Sequence, residues 1–167
     1  MSRHNQKISL KRVPLEITRL GLGTAPLGGM FATVAESESD ELINTAFELG
    51  INYFDTAPLY GYGKSEVRLG RALRAAKRDF VISTKVGRVL DPTDQPDKEF
   101  FKDADPSKIS VYDWSADGVK RSINESLERL GLDHVDIVLL HDCEDYLEQT
   151  IKEAYPVLDS YRSQGII

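Results

Sequence analysis

Four residues of this chain have side chains that could move protons together, and each stands at an equivalent place. Asp55 closes the apolar run of Asn52-Tyr53-Phe54-Asp55-Thr56-Ala57. Tyr60 follows in the glycine-bearing stretch Pro58-Leu59-Tyr60-Gly61-Tyr62-Gly63. Lys85 lies near the end of Ile82-Ser83-Thr84-Lys85-Val86-Gly87, and His141 ends the apolar run of Ile137-Val138-Leu139-Leu140-His141-Asp142. An ionisable group at the end of an apolar strand is costly unless it is paired, and Asp55 and Lys85 carry opposite charges for such a pair. A free phenol ionises at about pH 10, too high for an efficient acid at neutral pH. An ammonium group beside it favours the phenolate. With Asp55 keeping Lys85 charged and oriented, Tyr60 could give a proton to a carbonyl oxygen or take one from an alcohol. His141 could hydrogen-bond the same oxygen and aim it. The hydride that completes such a reaction has no side-chain source and requires a cofactor.

Taken singly, each residue has a plainer explanation. Asp55 could be a turn or cap residue, Lys85 the partner of a local carboxylate, His141 a satisfied polar group at a sheet edge, and Tyr60 loop packing. It is the set that points to a site, in this order, each at a strand end or in the loop just after it.

For these side chains to meet, the segments that carry them must be parallel neighbours. Residues 8–12 and 15–19 are short extended runs about Val13-Pro14 and are expected to form a hairpin. Residues 20–24 fit a buried strand. The spacing of Leu42, Ile43, Ala46 and Phe47 predicts a helix over 39–49, with Ser37 as its cap and Gly50 as its left-handed stop. A strand over 51–55, a helix over 65–76 and a strand over 80–86 follow. Residues 87–115, with Pro92, Pro96 and Pro106, are expected to be one long irregular segment. A helix over 115–130 takes Ser115 as cap and Gly131 as stop. The apolar run 135–140 is expected to be a strand buried on both sides. Helical spacing returns over 146–163 in two pieces, with Pro156 opening the second. Ile166-Ile167 reads as the start of another strand. Strand–helix alternation repeated four times implies a parallel sheet with crossovers. In a closed parallel barrel, the strand ends that carry Asp55, Lys85 and His141 share one mouth.

The 167 residues suffice for one domain with a core, and no boundary or repeat divides them, so residues 1–167 are taken as a single unit. A net charge of −6 argues against nucleic acid and against an anionic lipid surface as partners. One cysteine, Cys143, rules out a disulfide within the chain and fits a reducing compartment. The polar residues 1–10 lack the apolar core of a signal peptide, and no apolar run is long enough to cross a membrane. A cytoplasmic location is expected. Gly63-Lys64-Ser65 is not a phosphate-binding loop, because Pro58 stands where that loop needs a glycine. Tyr62, Asp142 and Cys143 are assigned to loop packing. For Trp114, a pocket wall and core packing stand level.

The motifs resemble those of the aldo-keto reductases. The resemblance rests on Leu22-Gly23-Thr24, on Phe54-Asp55-Thr56-Ala57 through Tyr60-Gly61, and on Ser65-Glu66 with Leu69-Gly70. Ser83-Thr84-Lys85, Ser126-Leu127-Glu128-Arg129-Leu130 and Val135-Asp136 running to His141 extend it over nearly the whole chain. It implies an α/β protein of the (β/α)₈ TIM-barrel type. It also implies NAD or NADP as cofactor, no metal, and a small-molecule carbonyl or sugar substrate. In that family the tetrad Asp, Tyr, Lys and His corresponds to Asp55, Tyr60, Lys85 and His141, with Tyr60 as proton donor. Gly23, Thr24 and Asp55 correspond to residues on the nicotinamide side of the cofactor. Gly23-Thr24-Ala25-Pro26-Leu27-Gly28, Val111-Tyr112-Asp113-Trp114-Ser115 and His141-Asp142 resemble the branch of sugar and pyridoxal dehydrogenases. That branch includes L-fucose and D-threo-aldose 1-dehydrogenases and pyridoxal 4-dehydrogenase.

Such a barrel takes ~250 residues, with ~200 near the minimum. Four strand–helix units after an N-terminal β-hairpin are therefore expected, a barrel truncated at about half. The other half would hold the pyrophosphate and adenosine and choose NAD or NADP. A half barrel leaves two open sheet edges, which invite pairing. Three outcomes follow: a truncated product of little stability, which is the preferred reading; half of a split enzyme completed by a C-terminal half-barrel chain; or self-association. A non-catalytic binding protein on the same scaffold is the alternative function class, since fold alone does not fix function.

Overall fold

The computed structural model describes residues 3–95 and 100–167. Pro96 of the expected irregular segment, and Met1 and Ser2 of the polar N-terminus, lie outside the described residues.

The chain opens with an antiparallel hairpin, β1 (Lys7–Ser9) and β2 (Glu16–Thr18), paired from Lys7↔Thr18 to Ser9↔Glu16. Four strand–helix units follow. Their strands are β3 (Leu22–Gly23), β4 (Tyr53–Asp55), β5 (Val81–Val86) and, further on, β8 (Ile137–Leu140). They lie side by side in the order β3-β4-β5-β8, all parallel, as the strand–helix alternation requires. The helices α1 (Glu36–Glu48), α2 (Lys64–Ala76) and α3 (Ala116–Leu130) cover one face of this sheet.

Strand alternation divides the sheet residues between its two faces. Phe54 and Ile82 meet Ile43, Phe47, Leu69, Leu73 and Leu130 from the helices in the main core. A second cluster joins Val86, Trp114, Val119, Ile123, Ala154 and Val157. Trp114 is 2% exposed, which settles it as a core residue. Tyr62 is buried against Leu90, Phe101 and Ala104, the loop packing expected of it.

The ends of α3 follow the expectation. The Ser115 hydroxyl accepts from the Gly118 N–H at 3.0 Å, and Gly131 closes the helix in the left-handed conformation. Helix α1 begins earlier than its apolar spacing suggests. The Ala35 N–H donates to Glu38 Oε2 at 2.8 Å, so Glu38, not Ser37, satisfies the first turn.

Three expectations need correction. Residues 87–115 are not one irregular stretch: β6 (Arg88–Pro92) and β7 (Lys108–Tyr112) pair antiparallel from Arg88↔Tyr112 to Pro92↔Lys108. Pro92 sits at the far end of its strand, where a missing N–H is tolerated. Strand β8 is not buried on both sides. Among the described residues it pairs with β5 alone, and Leu139 and Leu140 are 41% and 37% exposed. The last helical stretch, by contrast, comes in pieces as expected, with Pro156 opening the final one. It runs as α4 (Leu147–Gln149), a wide π turn over Thr150–Ala154, and α5 (Tyr155–Ser163). Pro156 falls in the first turn of α5, and the wide turn absorbs the backbone bond it cannot make. Ile166 forms no strand, although its carbonyl accepts from the Val135 N–H at 3.1 Å. Among the described residues no helix is long and apolar enough to cross a membrane.

Candidate active site

The parallel register places the predicted residues on one rim. Gly23 pairs with Asp55, Asp55 with Ser83, and Ser83 with Ile137. Lys85 stands two residues beyond Ser83, and His141 immediately follows β8. By strand alternation Asp55, Ser83 and Lys85 share the face turned away from α1, α2 and α3.

On that face Lys85 Nζ donates to Asp55 Oδ2 at 2.6 Å and to the Thr56 carbonyl at 2.9 Å. The Lys85 and Asp55 side chains are 12% and 25% exposed, so the pair is largely removed from water and its attraction is little screened. The same ammonium lies 4.8 Å from the centre of the Tyr60 ring. It therefore meets the ring face, and its two hydrogen bonds go to Asp55 and Thr56. The His141 ring stands edge-on to Tyr60, with ring centres 5.9 Å apart. All four predicted catalytic residues thus come together.

Tyr60 is held by its backbone. Its N–H donates to the Ala57 carbonyl at 3.1 Å, and its carbonyl accepts from the Ser65 N–H at 3.1 Å. Gly28 makes room for this loop: a Cβ there would lie 2.5 Å from the Tyr60 carbonyl carbon and the Gly61 nitrogen. Beneath the rim, buried hydroxyls tie three elements together. Thr24 Oγ1 donates to the Asp55 carbonyl at 2.8 Å, and Ser65 Oγ donates to the Thr24 carbonyl at 2.7 Å. The hydroxyls of Thr56 and Ser65 lie 3.1 Å apart. Thr24 is fully buried, so it serves the rim from below. Gly23 is different, because a Cβ built on it would meet nothing within 4 Å. It leaves a bare backbone ledge beside Asp55.

Burial pushes the His141 imidazole down to about 4. Asp142 pulls it partly back up, while Lys85 and Arg88 add to the lowering. The ring is neutral at pH 7, so its 3.9 Å approach to Asp142 is not an ion pair. Its Nδ1 is buried without a hydrogen-bond partner among the described residues.

The sequence reading missed two features. Ser83 Oγ donates to Asp55 Oδ1 at 2.6 Å, and the signal was its position two residues before Lys85 on one strand. Asp142, assigned to loop packing, takes Arg88 Nη2 at 2.9 Å, and Arg88 also lies 4.0 Å over the Tyr112 ring. Asp142 adopts a left-handed backbone, φ 54°, to reach it. No spacing in the sequence announces that contact between residues 54 positions apart. Cys143 is a free, half-buried thiol. Among the described residues no three His, Cys, Asp or Glu side chains converge as a metal site.

Comparison with known proteins identifies the family. Residues 19–167 match the model of the Aldo/keto reductase family. Pyridoxal 4-dehydrogenase of Microbacterium luteolum is 41% identical over 83% of this chain and 43% of its own length. D-threo-aldose 1-dehydrogenase of a Pseudomonas species is 39% identical over 92% of this chain and 49% of its own length. Among solved structures, a Pseudomonas aeruginosa protein assigned to the aldo-keto reductases superposes with a TM-score of 0.78. It is 34% identical and covers 99% of this chain and 59% of its own. The chain spans about half the length of the curated relatives it matches. With a family match over nearly all its residues and a parallel sheet that superposes on a member's structure, the chain belongs to the aldo/keto reductase family.

Proposed function

We propose that this chain carries the acid–base half of an NAD- or NADP-dependent oxidoreductase, which moves a hydride between nicotinamide and the carbonyl or alcohol carbon of an aldose, aldehyde or ketone. The observation that carries the reading is the position of Lys85. Its ammonium is locked to Asp55 and Thr56 and stands over the Tyr60 ring, with His141 at that ring's edge. The ammonium over the ring face is held there by attraction to the ring's electron-rich face as well as by its two hydrogen bonds.

Tyr60 then acts as general acid when a carbonyl is reduced and as general base when an alcohol is oxidised. Neutral His141 hydrogen-bonds the reacting oxygen without adding charge, and so fixes its aim toward Tyr60. Asp55 balances Lys85 and keeps it in place. The residues present fit a nicotinamide: Gly23 offers an open ledge next to Asp55, and Thr24 braces that carboxylate's backbone from below. A nicotinamide bound there supplies or accepts the hydride. The relatives named pyridoxal 4-dehydrogenase and D-threo-aldose 1-dehydrogenase support aldoses and pyridoxal as candidate substrates.

A second reading concerns completion of the site. The exposed Leu139 and Leu140 of β8, which pairs with β5 alone among the described residues, fit a strand that further barrel strands would cover. The test is aldose- or pyridoxal-dependent reduction of NAD and NADP, followed by nicotinamide absorbance. It is run on the chain alone and on the chain supplied with the second half-barrel of a relative. Turnover is expected in the completed barrel. A completed, folded barrel that binds nicotinamide yet transfers no hydride to any carbonyl would overturn the proposal.

A further inference from the structure

The inner face of a barrel sheet is ordinarily filled by branched apolar side chains. Here that face carries a run of polar groups that the four-residue site does not account for. Register places Tyr53, Asp55, Ser83 and Lys85 together on it: Asp55 pairs with Ser83, and Tyr53 and Lys85 each stand two residues away along their own strands. Ser83 Oγ donates to Asp55 Oδ1 at 2.6 Å, and Tyr53 Oη lies 3.0 Å from Ser83 Oγ. The directions of these bonds are determined. A carboxylate only accepts, so the single hydroxyl hydrogen of Ser83 goes to Asp55, and Tyr53 must be the donor to Ser83. The two carboxylate oxygens of Asp55 thus have different partners, Ser83 on Oδ1 and Lys85 on Oδ2.

The residue just before β3 makes room for this arrangement. A Cβ at Gly21 would fall 2.6 Å from Cδ1 of the Tyr53 ring, so Gly21 leaves the space in which that ring lies. Ser83 is fully buried and can reach no solvent in place of Asp55.

We infer that Ser83, backed by Tyr53, is a positioning residue: it fixes the rotation of the Asp55 carboxylate so that Oδ2 holds Lys85 against Tyr60. The inference rests on the hydride-transfer reading for its purpose, but not for its test. Without the Ser83 hydroxyl, Oδ1 loses a charge-assisted hydrogen bond and the carboxylate is free to turn about its Cβ–Cγ bond. Among the described residues, Lys85 then keeps only the Thr56 carbonyl as a fixed partner.

The experiment follows the ammonium protons of Lys85 by ¹⁵N-edited NMR on the chain itself, with the signal assigned by its loss in Lys85→Met. Firmly bonded ammonium protons exchange slowly with water. In Ser83→Ala their exchange is expected to quicken roughly tenfold, the factor that corresponds to losing one hydrogen bond to a charged group. Tyr53→Phe, which removes only the outer hydroxyl, should move the rate the same way by less. Ser83→Thr, which keeps a hydroxyl, should return it toward the parent value. Backbone amide exchange in α3 controls for general loosening. If Ser83→Ala does not fold, Tyr53→Phe alone decides. Unchanged Lys85 exchange in the folded variants would overturn the inference. No cofactor or turnover enters this measurement, so failure of hydride transfer would leave its result standing.

Discussion

Glu66 of α2 and Arg129 of α3 form an ion pair with Nε 2.6 Å from Oε2, and the Glu66 side chain has no exposure to solvent. The other carboxylate oxygen accepts from Thr84 Oγ1 at 2.7 Å. Thr84 is the residue before Lys85, so this buried carboxylate joins two helices to the strand that presents the ammonium. Breaking one side of such a pair strands a buried charge. Arg129→Met is therefore expected to cost about 3–5 kcal/mol in unfolding free energy, and Glu66→Gln less, since the neutral amide can still meet Thr84. Denaturant titrations of the two variants measure this. An Arg129→Met chain as stable as the parent would show that the pair does not brace the site.

His141 gives a pH signature. Its folded-state value of about 4 lies below the 6.5 of an unperturbed imidazole, chiefly because the ring is buried. As pH falls, the unfolded chain takes the proton first. The stabilisation is thus complete above pH 6.5, declines between 6.5 and about 4, and is absent below. The full swing is about 3 kcal/mol at most. Carboxylates titrate nearby, and Glu36 is lowered to about 2, chiefly by its hydrogen bond from Arg71. The informative quantity is therefore the difference between the parent and His141→Gln. Melting temperatures of the two should diverge above pH 6.5 and converge as the pH falls toward 4. Parallel curves across that window would place the imidazole in water.

Gly28 can be probed by a single methyl group. In Gly28→Ala the new Cβ would press on the backbone of Tyr60 and Gly61 at 2.5 Å, which flexible side-chain motion cannot relieve. The variant should lose about 1–3 kcal/mol of stability, as overpacked sites do, and should displace the tyrosine loop. Amide chemical shifts of residues 57–63 would report the displacement. Shifts confined to residue 28 and its chain neighbours would contradict the close approach.

The pairing of β8 bears on association. Leu139 and Leu140 are exposed in a strand that, among the described residues, pairs with β5 alone, a combination that recruits further strands. Sedimentation should show concentration-dependent self-association of the isolated chain, reduced by Leu140→Lys. A chain that sediments as a monomer at every concentration would rule this out.

The legible part of the fold was the part written in local periodicity. Val119, Ile123, Leu127 and Leu130 announced α3, and Ser115 and Gly131 its ends, because caps and amphipathic spacing are local properties. The convergence of Asp55, Tyr60, Lys85 and His141 was legible because parallel strands bring equivalent positions to one rim. The hairpin of β6 and β7 was obscured by Pro92 and by the absence of any gap longer than Gly87 after β5. The exposure of β8 depended on which strands flank it, which an apolar run cannot say. Ser83 was passed over because serine in a strand has no distinctive signal until the register sets it against Asp55.

The most direct measurement is the steady-state kinetics of Tyr60→Phe in the completed barrel, with nicotinamide and an aldose substrate. The variant removes only the phenolic oxygen of the ring that Lys85 overlies and that His141 meets edge-on. If that oxygen carries the proton, kcat should fall by about 10²–10⁴-fold, with nicotinamide affinity retained. Turnover equal to the parent's would mean that the proton travels by another route and that the four-residue site is not where the reaction occurs.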